Sequence, residues 1–376
     1  MLFSQVPGHE AIKQKLLKTV HDNRVSHAQL FLGPEGVGKL ALAIAYSQYI
    51  NCERHTDTDS CGVCPSCIQY SQFVHPDLHF IFPTINDGNT KAASHNYMVQ
   101  WREFIAENHC FVSLDQWYAK LDVENKQSLI SAEDALDVIK ALSYTSYESQ
   151  YKIMIIWMVE KLHHAAAPKL LKILEEPPDK TLFILIAEDH LQVFNTILSR
   201  TQLVKVPKLA DHELVEALSI NLSIDRISAR KAVRFAGGSY IKAMQWLSED
   251  EEGENNFILF RNFLRLSWNA KPKESSDYID KISKLGREKI KSILSEGLIV
   301  ISDTFKKNIG ILNDDKYEND EVVFFKNFSP YIHKDNVWQI YEIINEAIIQ
   351  VGRNANTILM LQDVVYQINR QILKKS

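Results

Sequence analysis

Residues 30–39 are Leu-Phe-Leu-Gly-Pro-Glu-Gly-Val-Gly-Lys. An apolar run followed by the pattern G-x-x-x-x-G-K predicts a buried strand, a glycine-rich loop and the N-terminus of a helix. In such a loop, backbone N–H groups surround a phosphate group. The candidate phosphate-binding residues are therefore Gly33, Gly36, Gly38 and Lys39. The stretch predicts an α/β domain of the P-loop class.

The residue after the loop lysine departs from this pattern. A P-loop that holds magnesium has Ser or Thr there, whose hydroxyl binds the metal, but this chain has Leu40. A second apolar run, residues 151–156, is typical of a central parallel strand, and a working ATPase ends such a strand with two acids. Here those positions hold Trp157 and Met158. Because both motifs lack the oxygen atoms that hold magnesium, we expect no ATP hydrolysis and no bound ATP.

Simpler interpretations of these residues stay open. Lys39 either bonds the carbonyl oxygens of its own loop or holds a phosphate or sulfate without functional meaning. Trp157 and Met158 are most simply core packing. At the carboxyl end of a central strand, where an α/β sheet normally binds its ligand, they would also fill the space that magnesium needs. We expect the loop to be empty or to hold an anion only.

Four of the five cysteines lie within sixteen residues, in the spacing C-x8-C-x2-C-x2-C: Cys52, Cys61, Cys64 and Cys67. Four thiolates at this spacing suit a tetrahedral Zn²⁺, which gives a short loop-rich insertion a fold that burial alone would not hold. The alternatives are an iron–sulfur cluster and the replacement of one cysteine by His55 or His75. Cys110 stands apart and is expected to be a small buried thiol. We expect one structural zinc ion.

The chain has 376 residues, enough for two or three domains, and a formal net charge of −5 from 42 Lys and Arg against 47 Asp and Glu. This balance argues against nucleic-acid binding through bulk positive charge, so any DNA contact is expected to be shared with partner proteins. No apolar run approaches the roughly 20 residues of a membrane-spanning helix, and residues 1–5 lack the features of a signal peptide. We expect a cytoplasmic protein with no membrane partner.

The first domain is expected to cover residues 1–207. Strand-like runs alternate there with helical ones, which indicates a parallel sheet covered by helices. The cysteine-containing insertion occupies about residues 50–70 of this domain. Residues 86–120 show no clean period, and we expect them to decorate the domain.

The rest of the chain is expected to be helical. Residues 208–248 predict three short helices, which form a small lid domain. The acidic, polar run 248–256 is most simply a solvated linker. Residues 257–376 have apolar residues at helical spacing and predict an all-α bundle.

Several short motifs occur together in this chain: Ser26-His27-Ala28, His75-Pro76-Asp77-Leu78, Leu170 to Pro178 with its Glu-Glu-Pro-Pro, Ser199-Arg200-Thr201, and Arg353-Asn354-Ala355-Asn356. With the P-loop and the four-cysteine insertion, they resemble the AAA+ subunits of the bacterial DNA polymerase III clamp loader over nearly the whole chain. The resemblance implies that the C-terminal bundle is a collar that holds a hetero-oligomeric ring of subunits. It implies as partners the gamma/tau and delta subunits, the sliding clamp and, within the complex, primed DNA, onto which the clamp is loaded.

Departures from the ATP-hydrolysing gamma/tau pattern resemble the non-hydrolysing delta-prime type of subunit: Leu40, Trp157, Met158, Ala187 and Ile241. That type sends the arginine of a Ser-Arg-Cys motif into a neighbour's nucleotide site. The resemblance makes Arg200 this arginine finger in trans, although Thr201 replaces the usual cysteine. An ordinary surface arginine is the simpler alternative. Two other functions stay open: an active gamma/tau-type ATPase, and a zinc-dependent nucleic-acid-binding module, which the acidic balance disfavours.

Overall fold

The computed structural model describes residues 1–85, 93–122, 128–143, 149–250, 256–269, 271–312, 317, 319–353 and 355–373. The chain divides into two compact units, Met1–Trp246 and Leu247–Ser376. Each unit has its own core of buried apolar side chains. Residues 251–255 of the predicted linker and 86–92 of the aperiodic stretch lie outside the described residues.

One parallel sheet forms the centre of the first unit. Its strands in the described residues are β1 (Ala28–Leu32), β2 (Leu78–Ile81), β3 (Lys152–Trp157), β4 (Thr181–Ala187) and β5 (Gln202–Lys205). Their order is β2-β3-β4-β1-β5, and each neighbouring pair is parallel. The continuous apolar runs of β3 and β4 are buried along their whole length, as expected for strands covered on both faces. The predicted parallel α/β sheet is confirmed, and β2 is a strand that the sequence pattern did not predict.

The helices that begin in the first unit follow in chain order: α1 (Glu10–His21), α2 (Lys39–Ile50), α3 (Pro65–Ser71), α4 (Met98–Glu107), α5 (Leu114–Lys120), α6 (Ala132–Ser143), α7 (Ala167–Glu175), α8 (Asn195–Leu198), α9 (Asp211–Leu222), α10 (Arg226–Ala236) and α11 (Tyr240–Asp250). Helix α2 is buried along its whole length and contacts β1, β3 and β4. Helices α6 and α7 share a different core cluster with the sheet, through side chains such as Val138 and Leu170.

The aperiodic stretch packs at the carboxyl end of β3. Trp101 of α4 is fully buried, and its ring lies 4.3 Å from the ring of Phe82 and 5.3 Å from that of Trp117. It also lies 5.1 Å from the ring of Trp157, the last residue of β3. Because these rings meet from several elements, the local sequence carries no single period.

The second unit is helical through its described residues: α12 (Asn256–Asn269), α13 (Pro272–Ser283), α14 (Arg287–Asn308), α15 (Asn319–Phe328), α16 (Val337–Gly352) and α17 (Thr357–Ile372). The predicted apolar faces of the last two helices contribute buried residues such as Ile340, Ile344 and Leu361 to its core. Asn356 caps α17, since its side chain accepts hydrogen bonds from the N–H groups of Ile358 and Leu359 at 3.1 and 3.2 Å. Asn354 lies outside the described residues. No helix in the described part of the chain has the length and apolar composition that a membrane crossing requires.

Candidate functional site

The P-loop lies between β1 and α2, as the sequence predicts. Gly36 and Gly38 have φ angles of 76° and 85°, in the left-handed region that favours glycine. A Cβ atom on Gly36 would lie 2.0 Å from Ser239 Oγ, and one on Gly38 would lie 2.9 Å from the ring of Phe111. The loop backbone is therefore in close contact with Ser239 and Phe111, two residues that are distant in sequence.

Lys39 turns toward its own loop. Its Nζ donates to the carbonyl oxygens of Gly33 and Pro34 at 2.7 and 2.6 Å, and lies 3.5 Å from Glu188 Oε1. Burial lowers the pKa of this ammonium group, while the nearby carboxylates of Glu188, Glu160 and Glu35 act in the opposite direction. This is the first of the two arrangements considered for Lys39. Negative side chains around it also make the place less favourable for a phosphate anion.

The three apolar replacements lie beside this loop. Leu40, Trp157 and Met158 are each exposed by 5% or less. The space that Leu40 and Trp157 help to line has a volume of about 10 Å³, enough for about one water molecule. Apolar side chains therefore lie beside the loop at the three positions where a magnesium-binding ATPase has a hydroxyl and two carboxylates.

Residues 109–112 lie against the P-loop, and the sequence pattern did not predict this contact. Phe111 is 4% exposed, and its ring lies 4.3 Å from the ring of Tyr240 in α11. Cys110 and Val112 line the same small space. Burial raises the pKa of the Cys110 thiol to about 12, which fits the small buried thiol expected from the sequence.

The four clustered cysteines form a candidate metal centre. Their sulfur atoms all lie within 4.8 Å of one another, and Cys61 Sγ is 3.9 Å from Cys67 Sγ. A tetrahedron with Zn–S distances of about 2.3 Å has edges of about 3.8 Å, so these donors fit such an ion. Backbone N–H groups support the sulfurs: that of Cys61 donates to Cys52 at 3.3 Å, and that of Cys64 to Cys61 at 3.4 Å. In the described residues, the candidate metal-binding group comprises the four cysteines without a histidine.

The two histidines weighed as replacement ligands have other partners. The ring of His55 lies 4.6 Å from the ring of Tyr49. His75 Nδ1 accepts from the backbone N–H of Asp77 at 3.1 Å, while its Nε2 lies 3.0 Å from Ser149 Oγ. Since Nδ1 is an acceptor, Nε2 carries the proton and donates to Ser149. His75 therefore cannot take a proton from the hydroxyl of Ser149, and Ser149, His75 and Asp77 do not form a nucleophilic triad.

The cysteine module, residues 51–71, is attached to the sheet through Asn51. The Asn51 amide donates to Tyr70 Oη and to the carbonyl oxygen of Tyr151, both at 2.8 Å. Its side-chain oxygen accepts from the N–H of Tyr151 at 3.0 Å, and its backbone carbonyl accepts from Ser66 Oγ at 2.9 Å. One residue thus joins the end of α2, helix α3 and the start of β3.

Arg200 lies between α8 and β5. Its guanidinium forms an ion pair with Glu175 at the end of α7, and donates to the carbonyl oxygen of Thr196 at 2.9 Å and to Ser199 Oγ at 3.2 Å. About a third of its side chain, 35%, is exposed. Strands β1 and β5 are parallel, with Gln29 opposite Gln202. Because Arg200 comes just before β5, it lies at the end of the sheet where the strands begin. The P-loop follows the carboxyl end of β1, and the structure does not bring Arg200 to its own loop.

Comparison with known proteins gives matches to subunits of DNA polymerase III. A family profile described as "DNA polymerase III, delta subunit" matches residues 8–210, more than half of the chain. The delta' subunit of DNA polymerase III from Buchnera aphidicola subsp. Schizaphis graminum is 26% identical over 238 residues, which cover 63% of this chain and 60% of that protein. The delta' subunit from Bacillus subtilis is 27% identical over 209 residues, covering 54% and 50%.

Subunits of a second name match to a similar degree. The gamma/tau subunit of DNA polymerase III from Mycobacterium bovis is 25% identical over 199 residues, which cover 53% of this chain and 27% of that protein. The chain thus spans about a quarter to three fifths of the length of these relatives. The resemblance noted in the sequence is confirmed for the part of the chain that these matches cover, and the chain belongs to the DNA polymerase III delta-subunit family, among the AAA+ clamp-loader proteins.

Proposed function

We propose that this chain is a non-hydrolysing, delta-prime-type subunit of a DNA polymerase III clamp loader. The observation that carries the proposal is the chemistry of three positions beside the P-loop. Leu40, Trp157 and Met158 are apolar and buried where an ATPase needs a hydroxyl and two carboxylates. A chain that cannot hold magnesium or position a water molecule contributes to the loader as a binding partner and not as an ATPase.

Its positive contribution to the reaction is Arg200, acting in trans on ATP held by a gamma/tau-type neighbour. The guanidinium is planar and always charged, so it suits the charge that develops on a transferred phosphoryl group. Two features support this role. Arg200 is partly exposed, and it lies at the end of the sheet where the strands begin, whereas its own P-loop lies at the end where they finish.

The cysteine module has a structural role in this proposal. Cys52, Cys61, Cys64 and Cys67 would hold one Zn²⁺ as a closed tetrahedral centre, which supplies folding free energy and no catalysis. The partners of the chain are gamma/tau and delta subunits in a hetero-oligomeric ring, the sliding clamp, and primed DNA within the complex. The second unit forms the collar contacts of that ring.

The second candidate is an ATP-hydrolysing gamma/tau-type subunit, which gamma/tau relatives of similar identity favour. Calorimetric titration of the purified chain with ATP, with and without Mg²⁺, separates the two functions. We expect no magnesium-dependent affinity and no phosphate release. Micromolar, magnesium-dependent affinity would support the gamma/tau assignment instead, whereas co-purification with gamma/tau and delta subunits without turnover would support the delta-prime type.

A further inference from the structure

The turn after α4 has an unusual backbone. His109 and Cys110 are consecutive left-handed residues, with φ angles of 49° and 63°. Side chains other than glycine rarely adopt this region, and two in succession cost free energy that the surrounding structure has to offset. The N–H of Cys110 donates to the carbonyl oxygen of Ile105 at 2.8 Å, and the N–H of Phe111 donates to that of Asn108 at 2.8 Å. These bonds hold a sharp turn that places Phe111 against the P-loop.

Phe111 connects two parts of the first unit. On one side its ring lies against the backbone of Gly38, and on the other it packs on Tyr240, the first residue of α11. Tyr240 also donates its backbone N–H to the carbonyl oxygen of Gly36 at 2.8 Å. The loop is therefore joined to α11 both directly and through the ring of Phe111.

Cys110, Phe111 and Val112 line the same small space as the loop residues Gly36, Gly38 and Lys39. In a P-loop this is where the N–H groups of the loop and of the first turn of the following helix bind phosphate. We infer that residues 109–112 are a built-in occupant of the nucleotide site: Phe111 fills the space in front of the loop and joins the loop to α11. Lys39, which would contact phosphate, bonds the loop carbonyls instead. The inference goes beyond lost hydrolysis, because a P-loop without magnesium ligands can still bind an anion, whereas one filled from within cannot.

Hydrogen exchange of the full wild-type chain tests the occupancy directly. Mass spectrometry would follow the amides of residues 36–40 with and without millimolar inorganic pyrophosphate, in the absence of magnesium. We expect identical exchange in both conditions. Slower exchange of these amides in pyrophosphate would overturn the inference. That result would leave the proposed non-hydrolysing role intact, since binding of pyrophosphate does not require the missing magnesium ligands.

A pair of variants tests the connection to α11. Phe111→Ala removes the ring, and we expect exchange of residues 36–40 and 240–243 to accelerate together by about tenfold or more. Leu170→Ala is the matched control, because Leu170 is equally buried in a core cluster that contains no residue of the P-loop or of segment 109–112. Wild-type rates in Phe111→Ala, or equal acceleration in Leu170→Ala, would overturn the inference. The wild-type experiment decides the occupancy if Phe111→Ala does not fold.

Discussion

Replacing Cys67 by Ser is expected to remove the metal ion and to unfold the cysteine module, while the parallel sheet stays folded. The module has almost no apolar core of its own. Its hydrophobic cluster consists of Cys52, Cys64 and Cys67, with Cys61 packed against them. Because the groups that bind the metal are also the groups that fill the core, the loss of one thiolate removes both contributions.

The size of the effect follows from two free energies. Structural zinc contributes about 10–16 kcal/mol of apparent binding free energy in zinc-finger peptides at neutral pH. Whole domains are stable by only about 5–15 kcal/mol, so a module that depends on its metal does not stay folded without it. The rest of the first unit loses hydrogen bonds to the module, including six with side chains: from the N–H groups of Phe3 and Ser4 to Asp59, from the Gln48 amide to Ser60 Oγ, from Tyr49 Oη to the carbonyl oxygen of Thr56, and two between Asn51 and Tyr151. At about 0.5–1.5 kcal/mol each, these six bonds predict that the free energy of unfolding falls by about 3–9 kcal/mol.

Metal analysis and hydrogen exchange on protein purified without chelator measure both effects. The wild-type chain is expected to carry about one zinc ion, and Cys67→Ser none. Cys110→Ser is the matched control, since Cys110 is a buried thiol outside the metal-binding group and its loss should leave the zinc content unchanged. A Cys67→Ser chain with one zinc ion, or a metal-free chain whose residues 52–71 stay protected from exchange, would refute the reasoning.

Three further perturbations have defined outcomes. In a reconstituted loader, Arg200→Ala and Arg200→Lys are expected to slow the neighbouring ATP site by a factor on the order of 10³–10⁵, measured as a partial fall in total ATPase rate and a larger fall in clamp loading. If both variants load clamps at the unmodified rate, Arg200 is an ordinary surface arginine. Leu40→Thr restores one magnesium ligand but should not produce turnover in a phosphate-release assay, because Trp157 and Met158 remain apolar; measurable turnover would contradict this. Asn356→Ala removes the cap of α17 and should lower the free energy of unfolding of the second unit by about 0.5–2 kcal/mol in urea titrations, and an unchanged midpoint would show that the cap contributes nothing.

The parts of the first unit that were predictable are those with a local signature. The P-loop is specified by glycine positions in one short stretch, and β3 and β4 by continuous apolar runs that mark strands buried on both faces. The cluster of four cysteines was predictable in the same way, because its members lie close together in sequence. Each of these features depends on residues that are near one another along the chain.

The parts that were not predictable depend on distant residues. Strand β2, at one edge of the sheet, has only four residues. Four residues are too few to show a clear alternation of apolar and polar side chains. The occupant of the P-loop comes from Phe111, which lies more than seventy residues from Gly38 and contacts Tyr240 far beyond it. The ion pair of Arg200 with Glu175 likewise joins the segment before β5 to the end of α7. Contacts of this kind leave no period in the sequence, since nothing in the local pattern of either partner depends on the other.

Arg200 lies at the end of the sheet where the strands begin, and the P-loop lies at the end where they finish. The two ends of the first unit are therefore chemically unlike. An arginine that acts on the P-loop of a neighbour requires a head-to-tail contact, in which the arginine end of one subunit faces the loop end of the next, and such a contact is heterologous and not two-fold. In a subunit whose P-loop is filled by residues of its own chain, only the arginine end is available for this contact. Such a subunit can act on the neighbour on one side and cannot be acted on from the other. If Arg200 acts in trans, this chain therefore terminates a row of ATP sites.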